Sequence, residues 1–190
     1  SLKPISKPNL FELAKVKKII QKSIIADIRN YKKVFNEIKK SKAEIVFHLA
    51  AQPLVRQSYL YPKKTFDTNI LGTLNILESV RKIKKVRTTI LITSDKVYDV
   101  SSNRIFKETD KLGGADPYSA SKVCCENLFS SYMSSFFKGN FKQRIATVRA
   151  GNVIGGGDFS TDRLIPDIYS SAKKNKKIIL RYPQSVRPWQ

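Results

Sequence analysis

The stretch Thr89-Ile90-Leu91-Ile92-Thr93 is a short apolar and β-branched run that leads directly into the polar pair Ser94-Asp95. Such a run predicts a buried strand, and polar residues directly after it are typical of the carboxyl edge of a parallel sheet. Two similar runs, at 45–50 and 145–148, predict further strands of the same kind. Because ligands bind at that edge of open α/β sheets, the residues that follow each strand are the first candidates for a functional site.

Segments with apolar residues at helical spacing alternate with these strands. We expect helices at 10–20, 31–40, 62–86, 117–137 and 162–173, a polar loop at 99–116, and two further strands at 23–26 and 178–180. Strands alternating with amphipathic helices predict an α/β fold, a doubly wound parallel sheet of the Rossmann-like kind, covered by helices on both faces.

The net charge is +21, from 36 basic and 15 acidic residues. The basic residues are mostly lysines scattered along the whole chain, and no basic arm or aromatic-interleaved motif occurs. We therefore expect solvated helix faces rather than a nucleic-acid interface, and a positive field that favours an anionic small substrate.

Cysteine usage and hydropathy indicate a cytoplasmic protein. Cys124 and Cys125 are adjacent, so they are poorly placed to pair with each other, and no metal-ligand spacing is present. No apolar run is long enough to span a bilayer, and no signal peptide opens the chain. We expect no metal and no membrane partner.

A proton-transfer site is indicated by Tyr118 and Lys122, which lie four residues apart in a predicted helix and therefore on one face. A lysine ammonium beside a tyrosine hydroxyl favours the phenolate, and Ser94 could hold a substrate oxygen opposite it. These groups suit the oxidation of an alcohol. For an isolated Tyr-Lys pair, two exposed residues on a helix surface would be the alternative interpretation.

Seven motifs place the chain in a wider context. They are 48–56, 68–73, 93–98, 113–122, 149–158, 162–167 and 187–190. On these motifs, and on their order, the chain resembles the extended short-chain dehydrogenase/reductase family. That family opens with a strand, a glycine-rich turn and a helix that hold the dinucleotide pyrophosphate, and this unit does not occur in the sequence.

We therefore expect a fragment of a longer protein, truncated at both ends and inactive by itself. The resemblance implies that residues 1–150 form an NAD-binding domain without its first strand-turn-helix, and that residues 151–190 begin the region that binds a sugar nucleotide. It also implies a homodimer or higher homo-oligomer, paired through helices at 62–86 and 117–137.

The resemblance implies catalytic roles for five residues. Tyr118 takes the proton of the sugar C4 hydroxyl, Lys122 supports Tyr118, and Ser94 orients the C4 oxygen. Asp95 acts as the acid for the C6 hydroxyl and Lys96 as the base at C5, so that water leaves across C5–C6. Asp-Lys at this position points to the branch that converts CDP-glucose to CDP-4-keto-6-deoxyglucose for deoxysugars of surface polysaccharides, whereas the dTDP-glucose branch carries Asp-Glu.

Binding residues follow from the same resemblance. Contacts to NAD are expected from Asp27, Ile28, Leu49, Ala50, Ala51, Gln52, Thr68, Tyr118 and Lys122. Contacts to the sugar nucleotide are expected from Arg56, Ser94, Asn152, Arg163, Leu164 and Arg187. Ordinary structural roles are the alternatives: a helix cap for Asp27, strand-helix packing for the alanines, polar packing for Thr68, and surface positions for the arginines. His48, the only histidine, is expected to be a core residue.

Two other functions remain open at this point. One is another nucleotide-sugar 4,6-dehydratase or a 4-epimerase on the same scaffold. The other is a non-catalytic Rossmann-like protein that binds a nucleotide, against which the complete set of five catalytic residue types argues.

Overall fold

A parallel sheet of three strands organises the chain between residues 26 and 150. The strands are β1 (Ile45–His48), β2 (Thr88–Ile92) and β3 (Arg144–Val148), and they lie side by side in that order. The register places Thr89 between Val46 and Ile145. The three central strands predicted from the sequence are confirmed, with ends that differ by one or two residues.

The computed structural model describes residues 3–4, 6–99, 101, 105–139 and 142–190. The chain forms two compact units, one of residues 26–150 and the other of residues 1–25 together with 151–190. The second unit therefore contains both ends of the chain. Which of the two holds NAD and which holds the sugar nucleotide stays a prediction. Part of the predicted loop at 99–116 lies outside the described residues.

Seven α-helices occur in the described part of the chain. They are α1 (Leu10–Leu13), α2 (Tyr31–Ser41), α3 (Val55–Leu60), α4 (Pro62–Phe66), α5 (Gly72–Lys82), α6 (Pro117–Tyr132) and α7 (Leu164–Lys173). A π-helical turn, Asp67–Leu71, joins α4 to α5, and a second one, Met133–Phe137, continues α6. The predicted long helices at 62–86 and 117–137 are thus confirmed, except that the first ends at Lys82.

Three local predictions are wrong. The helix expected at 10–20 is split into α1 and the 3₁₀ turn Val16–Lys18, because Lys15 between them adopts a left-handed conformation with φ of 50°. The segments 23–26 and 178–180 form no strand. Apolar runs of this kind predict burial, but a strand also requires a neighbour for its backbone hydrogen bonds, and neither segment pairs with one in the described residues.

The core lies on one face of the sheet. Leu77 and Val80 of α5 pack there with Leu91 of β2 and Ile145 of β3, and α2 adds half-buried apolar residues to the same cluster. Gln143 closes this side, since its amide donates hydrogen bonds to the carbonyl oxygens of Val80, Ile83 and Val86 at 2.8, 3.3 and 3.0 Å. The amino ends of β2 and β3 are thereby held against the carboxyl end of α5.

The other face of the sheet is exposed along β1. Phe47 is 65% exposed and Ile45 55%, and both point away from the core that buries their neighbour His48. Among the described residues, no helix is long and apolar enough to cross a membrane.

Candidate active site

The turn that follows β2 brings three of the predicted catalytic residues together. Ser94 is buried and caps the 3₁₀ turn Asp95–Val97, accepting a hydrogen bond from the backbone N–H of Lys96 at 3.2 Å. The Ser94 hydroxyl donates to Asp95 Oδ1 at 3.1 Å. Lys96 Nζ lies 3.4 Å from the same oxygen, so Asp95 and Lys96 form an ion pair beside Ser94. An acid, a base and a hydroxyl therefore share one turn.

The other two predicted catalytic residues lie in the first turns of α6. Asp116 caps this helix by accepting hydrogen bonds from the backbone N–H groups of Tyr118 and Ser119, at 2.9 and 3.0 Å. Tyr118 and Lys122 are both buried and one helical turn apart. The start of α6 therefore has a fixed position, which suits a site that must transfer a proton.

Lys122 connects α6 to the end of β2. Its ammonium donates a hydrogen bond to the carbonyl oxygen of Ile92 at 3.0 Å, and Ile92 lies two residues before Ser94. Burial lowers the pKa of Lys122 below its ordinary value. Since α6 also packs against the turn Asp95–Val97, all five catalytic candidates lie in the unit 26–150, around the carboxyl end of β2.

The end of β1 holds four of the residues predicted to contact NAD. Leu49 and Ala50 are exposed, and Ala51 and Gln52 are half-buried. The backbone N–H of Gln52 donates to Asn69 Oδ1 at 2.8 Å, and the Asn69 amide donates to Ser121 Oγ on α6 at 2.8 Å. Asn69 therefore ties the end of β1 to α6.

Three further predicted residues occupy ordinary structural positions. Asp27 forms an ion pair with Arg29 at 2.6 Å and also accepts the backbone N–H of Arg29, and these hydrogen bonds lower the pKa of Asp27. Ile28 is half-buried and packs against the core. Thr68 is half-buried in the π-helical turn. Structural roles alone would account for these contacts, and binding roles for the three residues stay predictions.

Most residues predicted to bind the sugar nucleotide lie in the second unit. Asn152 is half-buried and forms a backbone bridge with Trp189, Leu164 begins α7, and Arg187 is exposed. Arg163 precedes α7, and its Nε atom is buried without a hydrogen-bond partner in the described residues. Arg56 lies in the first unit, exposed on α3.

The residues around Lys122 fit one end of a dinucleotide. An ammonium has three hydrogens, and one of them is used by Ile92 O, so the other two are available for ribose hydroxyls. The small side chains of Ala50 and Ala51 leave the backbone at the end of β1 open to a flat ligand. Contacts of Lys122, Tyr118 and the end of β1 with the nicotinamide and its ribose stay a prediction.

His48 is buried in the core, as the sequence predicts. Its Nε2 atom lies 3.1 Å from Thr73 Oγ1, and Thr73 donates to Cys125 Sγ on α6 at 3.3 Å. Burial, and to a lesser degree the charge of Lys122, lower the pKa of His48 to about 4. Burial likewise raises the pKa of the Cys125 thiol. The His48 imidazole and the Cys125 thiol are therefore both neutral at physiological pH.

Two residues near the site were not predicted from the sequence. Glu126 is buried on α6 one turn after Lys122, and it forms an ion pair with Arg149 directly after β3. The sequence carried one signal, since a Glu four residues after Lys122 lies on the same face of the helix, but this spacing does not show whether the face is buried. Arg149 begins the motif at 149–158, but no separate role was predicted for it.

Comparison with known proteins agrees with this geometry. Residues 6–190 match the family described as GDP-mannose 4,6 dehydratase. The chain belongs to this family. It is 48% identical over 96% of its length to the CDP-glucose 4,6-dehydratase of Salmonella typhimurium, of which it covers 52%. It is 33% identical over 75% of its length to the dTDP-D-glucose 4,6-dehydratase of Dictyostelium discoideum, of which it covers 34%.

A solved structure shows the same fold. The dTDP-glucose 4,6-dehydratase DesIV of Streptomyces venezuelae, crystallised as a double mutant with NAD bound, superposes with a TM-score of 0.82 at 21% identity. The match covers 95% of this chain and 54% of DesIV. The chain thus spans about half the length of its relative from Salmonella typhimurium. The Rossmann-like fold predicted from the sequence is confirmed.

Proposed function

We propose that the full-length protein is an NAD-dependent dehydratase that converts CDP-glucose to CDP-4-keto-6-deoxyglucose. The observation that carries the proposal is the Asp95–Lys96 ion pair, which lies beside Ser94 in the unit that also holds Tyr118 and Lys122. An acid and a base next to an alcohol-oxidising set are what removal of water from an oxidised sugar requires. The 48% identity to the CDP-glucose enzyme of Salmonella typhimurium supports the choice of nucleotide.

Oxidation at C4 depends on the start of α6. Tyr118 removes the proton of the C4 hydroxyl, and the buried ammonium of Lys122 favours the tyrosinate that does so. Ser94 holds the C4 oxygen. NAD, when bound, accepts the hydride of C4 and later returns it to C6. The protein contributes orientation and a defined path for the proton.

Elimination depends on the turn after β2. The C4 ketone acidifies the C5 proton, which Lys96 removes, while Asp95 donates a proton to the departing C6 hydroxyl. These roles require a neutral amine and a carboxylic acid. Transfer of one proton from Lys96 to Asp95 would convert the ion pair to that form.

A 4-epimerase is the principal alternative, because a UDP-glucose 4-epimerase from Mycoplasma genitalium is 27% identical over 87% of the chain. Epimerisation needs the oxidation at C4 but no loss of water. The acid and base at Asp95 and Lys96 would then have no task, and this favours the dehydratase.

The test uses the full-length protein with NAD and CDP-glucose, followed by mass spectrometry for the loss of one water, with dTDP-glucose and UDP-glucose alongside. We expect loss of water from CDP-glucose, and a fall in kcat of about 10²- to 10⁴-fold in Tyr118→Phe and in Lys96→Ala. Tyr132→Phe is a matched control on the same helix, because its hydroxyl bonds Glu78 away from the site. An unchanged mass with all three sugars would refute the proposal.

A further inference from the structure

Glu126 has a buried carboxylate with a full set of hydrogen bonds. The residue is 3% exposed, and its oxygens accept from Thr93 Oγ1 at 2.5 Å, from Thr147 Oγ1 at 3.1 Å, and from Nε and Nη2 of Arg149 at 3.1 Å each. Burial alone would raise the pKa of Glu126, but the hydrogen bonds from Arg149 and Thr93 bring it below its ordinary value. Glu126 is therefore ionised at neutral pH.

Arg149 reaches from Glu126 to the segment that follows the catalytic turn. Its Nη1 donates to the carbonyl oxygen of Glu108 at 2.8 Å, and its guanidinium lies over the ring of Tyr98, 5.0 Å from the centroid. Tyr98 stacks in turn on Phe106 with centroids 4.9 Å apart. Because Tyr98 is two residues after Lys96, this stack holds the exit of the turn that carries the acid and the base.

The entry to the same turn is held by the backbone around Arg149. Thr93 donates its N–H to Val148 O at 2.9 Å, and Asp95 donates its N–H to Ala150 O at 3.0 Å. Thr93 also donates its hydroxyl to Glu126. The turn is thus connected to α6 on both sides through Arg149 and Glu126.

We propose that Glu126 and Arg149 are positioning residues, a buried brace that fixes the helix of Tyr118 and Lys122 relative to the turn of Ser94, Asp95 and Lys96. The inference rests on the proposed function, in which both groups act on neighbouring carbons of one sugar ring. A displacement of about 1 Å between such groups can cost about 10²-fold in rate.

The brace is tested in the full-length enzyme with Glu126→Gln and Arg149→Lys. We expect kcat to fall about 10- to 100-fold while KM changes less than about threefold, because most residues predicted to bind the sugar nucleotide lie outside the braced elements and mainly the alignment of the catalytic groups is lost. The double variant should be no worse than the more damaged single one, since both changes break one unit. Glu78→Gln is the matched control, because Glu78 is also paired with an arginine, Arg81, and its other partners, Lys82 and Tyr132, lie outside the turn.

Hydrogen exchange gives a readout that does not depend on activity. Glu126→Gln should accelerate exchange of the amides at 93–98, although the substituted residue lies on α6, and Glu78→Gln should not. A kcat within about twofold of wild type, or losses that multiply in the double variant, would overturn the brace.

Two other results are possible: Glu126→Gln does not fold, or the wild-type enzyme removes no water. If Glu126→Gln does not fold, the variant Tyr98→Leu tests the brace instead, because it removes the aromatic ring that lies between Arg149 and Phe106. We expect kcat of this variant to fall about tenfold. An unchanged kcat would overturn the brace. If the wild-type enzyme removes no water, the proposed function fails. The exchange comparison then decides the brace by itself, and equal exchange at 93–98 refutes it.

Discussion

Two basic side chains, Lys122 and His48, are buried near the carboxyl end of the sheet, and the charge of one acts on the other. His48 is neutral when folded, because burial and Lys122 lower its pKa to about 4. In the unfolded chain it takes up a proton near its ordinary pKa of about 6.5. As the pH falls from about 6.5 to about 4, the unfolded state therefore binds a proton that the folded state does not.

The free energy of unfolding of the full-length protein should therefore fall between about pH 6.5 and pH 4, by up to about 3 kcal/mol from this residue. Urea unfolding at several pH values measures the change. His48→Gln does not titrate, so its free energy of unfolding should fall less over the same range. Equal pH dependence in the two proteins would contradict the shift.

At the scale of residues, the chemistry was more predictable than the support around it. Tyr118, Lys122 and Ser94 were candidates by residue type and spacing, and Asp95 and Lys96 by the family resemblance. The structure places all five in the unit 26–150, while their catalytic roles stay predictions. The role of Glu126 could not be predicted from the sequence, because a glutamate one turn after a lysine is equally typical of a solvated helix face. Its burial depends on Thr93, Thr147 and Arg149, which come from distant parts of the chain.

At the scale of elements, the junction between the π-helical turn and α5 packs closely against the segment that precedes α2. A Cβ on Gly72 would lie 2.8 Å from Ile28 Cγ2, and Ile28 O also accepts a hydrogen bond from Asn75 on α5 at 3.0 Å. Gly72 has helical backbone angles, so its role is the close approach rather than an unusual conformation.

Gly72→Ala should lower the free energy of unfolding by about 1 kcal/mol, because the stiff isoleucine cannot move away without disturbing the core. In an Ile28→Ala background the same change should raise it by up to about 1 kcal/mol, since alanine is the better helix former and the clash is gone. Chemical unfolding of the four proteins gives both values. The same sign in both backgrounds would show that Ile28 does not limit the site.

The two strand predictions that were wrong also have a physical explanation. The runs at 23–26 and 178–180 have the composition of strands, but pairing depends on a neighbour that local sequence does not specify. The central strands were predictable because each is a short apolar run, and because strongly periodic helices lie between them in the sequence. The π-helical turns have no comparable local signal. One lies between α4 and α5, and the other directly follows α6.

At the scale of the whole molecule, an exposed apolar sheet face is combined with a net charge of +21. Ile45, Phe47 and Leu49 are exposed on alternate positions along and just after β1. Burial of this face would favour self-association of the 190-residue chain, while charge repulsion opposes it. Salt shortens the Debye length from about 30 Å at 0.01 M to about 10 Å at 0.1 M, so it weakens only the repulsion.

Sedimentation of the 190-residue chain should accordingly show more self-association as salt is raised from about 10 to about 500 mM. Phe47→Ser should reduce this response, because it removes an exposed aromatic side chain from the face. Dissociation with increasing salt would instead indicate contacts made by charged groups.

The central claim is that one site oxidises C4 and then removes water across C5–C6. The most direct test is to give the full-length enzyme CDP-glucose deuterated at C4 and to locate the label in the product. The account predicts a 4-keto-6-deoxy sugar with the deuterium at C6. Deuterium that stays at C4, in a sugar of unchanged mass, would contradict it.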